Sequence, residues 1–201
     1  RPATPETMLN ENNLNDILKT IDYYKQKTIS NELECSIWLG ETGHAQFGGQ
    51  AGLSDSFLSS LWWIDLLSLS AHSGISRVLR QTLTGSDYGM LDDETFLPRP
   101  DYWTSYLWQH AVSGSPAEVK IMYESENRQT ENHDGLRLWA FENEEYRLLI
   151  IINLNTDKNI NIDLGKLEGE KYSIRAESRF PDAKTILFNG SEPQLESLND
   201  I

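Results

Sequence analysis

Near residue 116 the spacing of apolar residues changes period, and this change limits the folds open to the chain more than any other feature. Upstream, apolar residues recur at steps of three and four in three segments, with two short strand-like runs between them. Residues 12 to 28 carry Leu14, Ile17, Leu18, Ile21 and Tyr24 behind Asn12 or Asn13 as a cap, which predicts an amphipathic helix. Cys35 to Gly40 is an apolar run the length of a buried strand, and a loop containing Gly43, Gly48, Gly49 and Gly52 follows it. Ser54-Asp55 is positioned to cap a second helix. Its Phe57, Leu58, Leu61, Trp62, Trp63, Ile64, Leu66, Leu67 and Leu69 occupy nearly every face, as in a helix packed on both sides. Gly74 closes it, Ile75 to Leu83 reads as a second strand, and Gly85 to Pro98 as a long irregular loop. Pro100 opens a third helix through Tyr102, Trp103, Tyr106, Leu107, His110 and Ala111. Helices alternating with strands imply parallel strands joined by crossover helices.

Beyond Ser113-Gly114-Ser115-Pro116 the period is two. Strands are expected at Val119 to Tyr123, Leu136 to Phe141, Tyr146 to Leu154, Asn159 to Leu164, Tyr172 to Ala176 and Ile186 to Phe188, divided by Asn, Asp and Gly turns. That is the pattern of an antiparallel sheet or sandwich. Two regions follow: an α/β unit over residues 1–115 and a β unit over 116–201. With two strands, the first is too short for a closed eight-stranded barrel, which takes about 250 residues. It is either the last quarter of such a barrel or a small open α/β unit.

Charge narrows the partners. Lys+Arg 17 against Asp+Glu 31 gives a net charge of −14, with 14 acidic and 7 basic groups in residues 1–115 and 17 and 10 in the rest. Nucleic acid is not an expected partner, because neutralising phosphates requires a basic face; the acid reads instead as a solubilising surface. Apolar stretches at Phe57 to Leu69 and Leu148 to Ile152 fall short of the roughly 20 residues a membrane span needs. The single Cys35 permits no internal disulfide. Asn189-Gly190-Ser191 would accept a glycan if the chain is secreted, or is a chance match. The opening Arg1-Pro2-Ala3-Thr4, with neither Met nor a signal peptide's charged and apolar regions, reads as a processed chain or a fragment.

In parallel α/β folds reactive groups gather at the carboxyl ends of strands, and Glu41 follows Trp38-Leu39-Gly40 at such an end. Taken alone, a strand-end Glu is as readily a salt bridge or a helix cap. Its surroundings add more. Trp38-Leu39-Gly40-Glu41-Thr42, Gly48-Gly49, Leu53-Ser54-Asp55-Ser56-Phe57, Trp63-Ile64-Asp65, Arg80-Gln81, Tyr88, Asp92-Asp93-Glu94 and Leu97-Pro98-Arg99-Pro100-Asp101-Tyr102-Trp103 appear in that order. In order and spacing the chain resembles the heparanase-like glycoside hydrolases, the endo-β-glucuronidases that include heparanase and the leech-type hyaluronidase. The likeness covers about residues 3 to 110, taking in Ala3-Thr4 and Leu9-Asn10. It continues more faintly through Ile152-Asn153-Leu154 and Leu187-Phe188-Asn189-Gly190.

The resemblance implies the last strands and helices of a (β/α)8 TIM barrel followed by an antiparallel β-sandwich that stops early. It further implies retaining hydrolysis with Glu41 as nucleophile. Retaining enzymes need a second carboxyl roughly 5 to 5.5 Å away; in the family this acid follows an Asn on an earlier strand, far more than forty residues before the nucleophile, so it is expected to be absent from this chain. Asp55, Asp92, Asp93 and Glu94 are not expected to replace it. By the same resemblance Gly48, Gln81 and Tyr88 bind substrate, although each has a plainer reading: a turn for Gly48, backbone satisfaction for Gln81, loop packing for Tyr88. Gln46 and Phe47 stand where heparanase has Tyr-Gly, so the subsite beside the nucleophile differs. His44 is either a general base or, more simply, a surface loop histidine. His72, His110 and His133 are scattered with no zinc spacing, so neither a metal nor a cofactor is implied. Trp62-Trp63, Trp103 and Trp108 sit at helical positions and read as core residues in preference to sugar platforms.

The expected function is thus the carboxy-terminal part of a glucuronidase acting on heparan sulfate or hyaluronan, completed by an amino-terminal barrel half in the same precursor or on a second chain. The alternative is an inactive truncated relative with a binding or secretion role. The resemblance implies a secreted, extracellular or lysosomal location, with membrane association as a further option. Alone, the chain is expected to be inactive and poorly soluble.

Overall fold

A computed structural model describes residues 3–112, 120–121, 135–142, 147–156, 158–162, 169–177 and 183–195. Three helices open the chain: α1 (Pro5–Met8), α2 (Glu11–Asn15) and α3 (Ile17–Ser30). Thr4 forms a reciprocal capping box with Thr7 on α1, and the Asn10 carboxamide accepts from Asn12 N and Asn13 N at 3.0 and 3.3 Å on α2. The cap therefore lies at Asn10, earlier than the expected Asn12 or Asn13. The single helix expected over 12–28 is interrupted at Asp16, which keeps right-handed helical angles but bonds three residues back, its N–H donating to Asn13 O at 3.3 Å, and α3 lays Ile21 into the core.

Next come β1 (Trp38–Thr42), α4 (Phe57–His72) and β2 (Arg77–Arg80), with β1 and β2 paired in parallel around the α4 crossover. Both strands are shorter than the apolar runs that forecast them, and β1 begins later, at Trp38. Leu39 and Val78 turn to one side of the pair, where they pack on Ile21, Leu69 and Ile75. Trp38 and Leu79 point the other way and are about half exposed. α4 is buried around most of its circumference, as its apolar sequence requires. Its start carries a correction. Asp55 does not cap it: Ser56 holds the N-cap position without a side-chain capping bond, and the Phe57 amide donates to Ala183 O at 2.8 Å. Asp55 instead accepts Gly52 N–H at 2.7 Å and pairs with Lys184 at 2.6 Å. An irregular loop leads to α5 (Pro100–Val112), which packs along α4 through Trp63 and Trp108.

The remaining described strands are β3 (Lys120–Ile121), β4 (Leu136–Glu142), β5 (Arg147–Asn153), β6 (Ile174–Ala176) and β7 (Ile186–Phe188). They form an antiparallel β3-β4-β5 sheet and an antiparallel β6-β7 pair. Residues 159–162, expected to open a strand, form none. Position 116, where the period changes, and His133 lie outside the described residues. The regions before and after that position share core. Leu14 packs with Ile152 and Leu154, and Phe57 with Ala183 and Ile186. Arg137 on β4 reaches Asp65 on α4 with two 2.8 Å bonds, while the Trp139 indole donates to the same carboxylate at 2.8 Å and Asn15 accepts from Arg137 at 2.9 Å.

Candidate functional site

The site is built where β1 and β2 end side by side. Along the pair, Leu39 faces Val78 and Thr42 faces Arg80, so three steps on β1 run against two on β2. The extra residue makes a bulge, a device that re-aims side chains at strand ends. Gly40 and Glu41, the two residues within it, are both exposed. Glu41 is thereby presented to solvent at the carboxyl end of a parallel strand. Gln81 continues from β2, is exposed, and donates its backbone N–H to Thr42 O at 3.0 Å.

Two loops close around these ends. In the first, a tight turn brings Gly49 N to Gln46 O at 3.2 Å, with Phe47, Gly48 and Gly49 all at positive φ. Phe47 is fully exposed at its tip. Gly49 is fixed by space as well as by φ, since a Cβ there would meet Ser54 Cβ and Oγ at 2.9 Å and Tyr88 N at 3.0 Å. The second loop supplies Tyr88, whose N–H donates to Gly48 O at 3.2 Å. Gly43 marks the centre: a Cβ on it would lie 3.8 Å from Arg80 Nη1, from Gln81 O and from Tyr88 Cε1. The structure thus brings the ends of β1 and β2, the Gly48 turn and the Tyr88 loop into one region. Exposure differs among them, since Glu41 and Gln81 are open while the Tyr88 ring is buried.

Arg80 lies beneath this region with its side chain 4% exposed. It donates to Gln81 O at 3.1 Å, to Tyr88 O at 3.0 Å and to Asp101 Oδ2 at 2.7 Å. Its guanidinium lies over the rings of Trp62, Trp63 and Tyr88, 5.2 to 5.7 Å from their centroids. Asp101 also accepts from Ser59 Oγ at 2.6 Å and Ser60 Oγ at 3.1 Å. Burial pushes the Asp101 carboxyl up, and Arg80 with the two hydroxyls holds its charged form against that push.

His44 corrects the sequence reading. It is no surface histidine: its ring packs edge-on against Trp62 at 5.2 Å and Tyr88 at 6.1 Å, and Nε2 is buried with no hydrogen-bond partner among the described residues. Desolvation, with the Arg80 charge beside it, lowers its pKa to about 3, which leaves a neutral imidazole too weakly basic to take protons near neutrality. With Trp62, His44 lines an open cavity of about 200 Å³ that Ala3, Thr7, Met8, Asn13 and Leu14 complete.

Two carboxylates of the loop between β2 and α5 are engaged. Asp92 accepts from the amide and hydroxyl of Thr95 and the amide of Glu94, bonds that hold its carboxyl well below the usual range, and Asp93 accepts from Gly85 N at 2.7 Å.

Known proteins align with this sequence. Heparanase-like protein 1 of Arabidopsis thaliana is 29% identical over 180 residues, 89% of this chain and 31% of that protein. Heparanase of Rattus norvegicus is 40% identical over 116 residues, 56% of this chain and 21% of its own length. Hyaluronoglucuronidase of Hirudo nipponia is 28% identical over 173 residues, 80% of this chain and 34% of its own. The chain is similar in sequence to heparanase and its relatives. No family model matches it. The chain spans about a third or less of each of these three relatives. Sequence reasoning gave no role to Arg80, Asp101, Ser59 or Ser60. Arg80 stands in an alternating strand and the serines between the apolar residues of a helix; only the tertiary contacts show them buried together.

Proposed function

We propose that this chain carries the nucleophile of a retaining endo-β-glucuronidase that cleaves glucuronide linkages of a glycosaminoglycan. The observation that carries the reading is Glu41, exposed in a bulge at the carboxyl end of a parallel strand, with Gln81 on the neighbouring strand end and the Gly48 and Tyr88 loops around it. In this mechanism the Glu41 carboxylate attacks the anomeric carbon and forms a glycosyl ester as the leaving oxygen takes a proton from the second carboxyl. Water then releases the sugar, with the second carboxyl acting as base. That acid belongs to an earlier strand outside these 201 residues; Asp55, Asp92 and Asp93 already have partners of their own.

The half-exposed Trp38 and Leu79 support a place within a larger (β/α)8 barrel carrying an appended β-sandwich, because parallel sheets are ordinarily covered on both faces. The partner is therefore the amino-terminal barrel half, in the same precursor or as a second chain. A net charge of −14 favours hyaluronan or a simpler glucuronide over highly sulfated heparan sulfate, which would need a more basic cleft. Such substrates fit a protein acting outside the cell or in the lysosome, free or associated with a membrane.

The test joins this chain to the segment that supplies the acid. Glu41→Gln should lower glucuronide turnover roughly a thousandfold or more while leaving oligosaccharide affinity within a few fold. A glucuronide-configured inactivator that traps the glycosyl ester should label a peptide containing Glu41. Turnover by Glu41→Gln, or label on another carboxylate, removes Glu41 from the role, and an assembly without turnover or label points to a non-catalytic binding protein.

A further inference from the structure

Arg80 and Arg137 are both buried arginines paired with buried aspartates, but they hold different things. Arg137 bonds the Asp65 carboxylate and the Asn15 carboxamide, all side-chain groups between α4, α2 and β4. Arg80 adds to its Asp101 pair two backbone carbonyls, those of Gln81, where the chain leaves β2, and of Tyr88, farther along the same loop. It cannot touch a substrate, being covered by Trp62, Trp63 and Tyr88. Both residues it fixes by their backbones are the ones read as substrate-facing, and Tyr88 passes the constraint to the Gly48 turn through its 3.2 Å amide bond. The loop is further tied by Met90 N to Thr82 O at 3.0 Å and Leu91 N to Leu83 O at 2.9 Å, so holding Gln81 and Tyr88 constrains the course between them.

We propose that Arg80 is a positioning residue: by clamping the carbonyls of Gln81 and Tyr88 it holds the loop over residues 81–91 and the Gly48 turn in the arrangement that receives the sugar beside Glu41. The inference rests on the glucuronidase reading of the site. A planar guanidinium with five donors in a fixed fork suits this task, whereas a lysine is a single charge on a flexible stem. Lysine at position 80 can still pair with Asp101 but cannot also span both carbonyls.

Arg80→Lys and Arg137→Lys therefore form a matched pair, each keeping its ion pair. In the full chain, amide hydrogen exchange should quicken about tenfold or more across residues 82–91 in Arg80→Lys and stay unchanged there in Arg137→Lys, although both variants lose thermal stability. In the assembly that cleaves glucuronides, Arg80→Lys should raise KM about tenfold with kcat within about threefold, and Arg137→Lys should leave KM in place. Unchanged exchange over 82–91 in Arg80→Lys overturns the proposal, as does an equal KM rise in both variants. If Glu41→Gln abolishes turnover while Arg80→Lys leaves KM unmoved, the proposal alone fails; if Glu41→Gln retains turnover, the site reading fails and takes the proposal with it.

Discussion

His44 lies three residues past Glu41, yet its chemistry is set by Trp62, Tyr88 and Arg80, none of them near it in sequence. Its folded pKa of about 3 lies below the 6.5 of a free imidazole because the ring is desolvated and Arg80 opposes a second positive charge. The unfolded chain therefore binds one proton more than the folded chain between those values. Stability attributable to this residue is intact above pH 6.5 and falls as the pH drops toward 3, by up to about 1.4 kcal/mol per unit. Urea unfolding at pH 7 and pH 4.5 should show a smaller acid loss for His44→Gln than for the parent, by about 2 kcal/mol. Equal losses would mean that His44 is protonated in the folded state. Nothing in Gly43-His44-Ala45 signals this burial, since the loop's fold is decided by the ring it packs on. Exposure along the strands was easier to foresee than burial: Glu41 and Gln81, at the strand ends, come out exposed, whereas Arg80, one position before Gln81, comes out covered.

At the scale of an element, α4 carries more than its apolar residues. Ser59 and Ser60 face Asp101 on α5, and Asp65 faces Arg137 on β4, so polar contacts join this helix to both neighbours from within its buried surface. Burial raises the Asp65 carboxyl, while Arg137 and the Trp139 indole favour its charged form. Removing the cation strands that charge. Arg137→Met should cost about 3 to 5 kcal/mol, and Arg137→Met combined with Asp65→Leu should recover much of it. Chemical denaturation of both variants checks this, and a single-variant cost under about 1 kcal/mol would show that Asp65 finds water. The extent of α4 was legible because Phe57 to Leu69 fill every face. Its start was not, because the group that receives the first amide is the carbonyl of Ala183, far along the chain.

For the molecule as a whole, one face of the β1-β2 pair is packed by α3 and α4 while the other leaves Trp38 and Leu79 about half open. Phe47, Leu83, Phe96 and Leu97 are also exposed, and apolar surface of this kind promotes association. The 201-residue chain by itself should bind a hydrophobic dye and self-associate, and Trp38→Gln with Leu79→Gln should reduce both at least twofold in fluorescence titration and sedimentation. A monodisperse parent chain that ignores the dye would mean that this face is covered by the chain's own residues.

The sequence by itself determined the alternation of helices and strands up to residue 112, the change of period that follows, and the strand end that carries Glu41. These are local patterns, recorded in the spacing of neighbouring side chains. The tertiary structure alone decided that a bulge turns Glu41 outward, that Arg80 and His44 are buried beneath it, that Asp55 ties down a distant lysine instead of capping a helix, and that Arg137 crosses 72 positions to reach Asp65. Each of these joins groups far apart in the chain, where no period can bring them together and only the balance of burial against desolvation selects the partner.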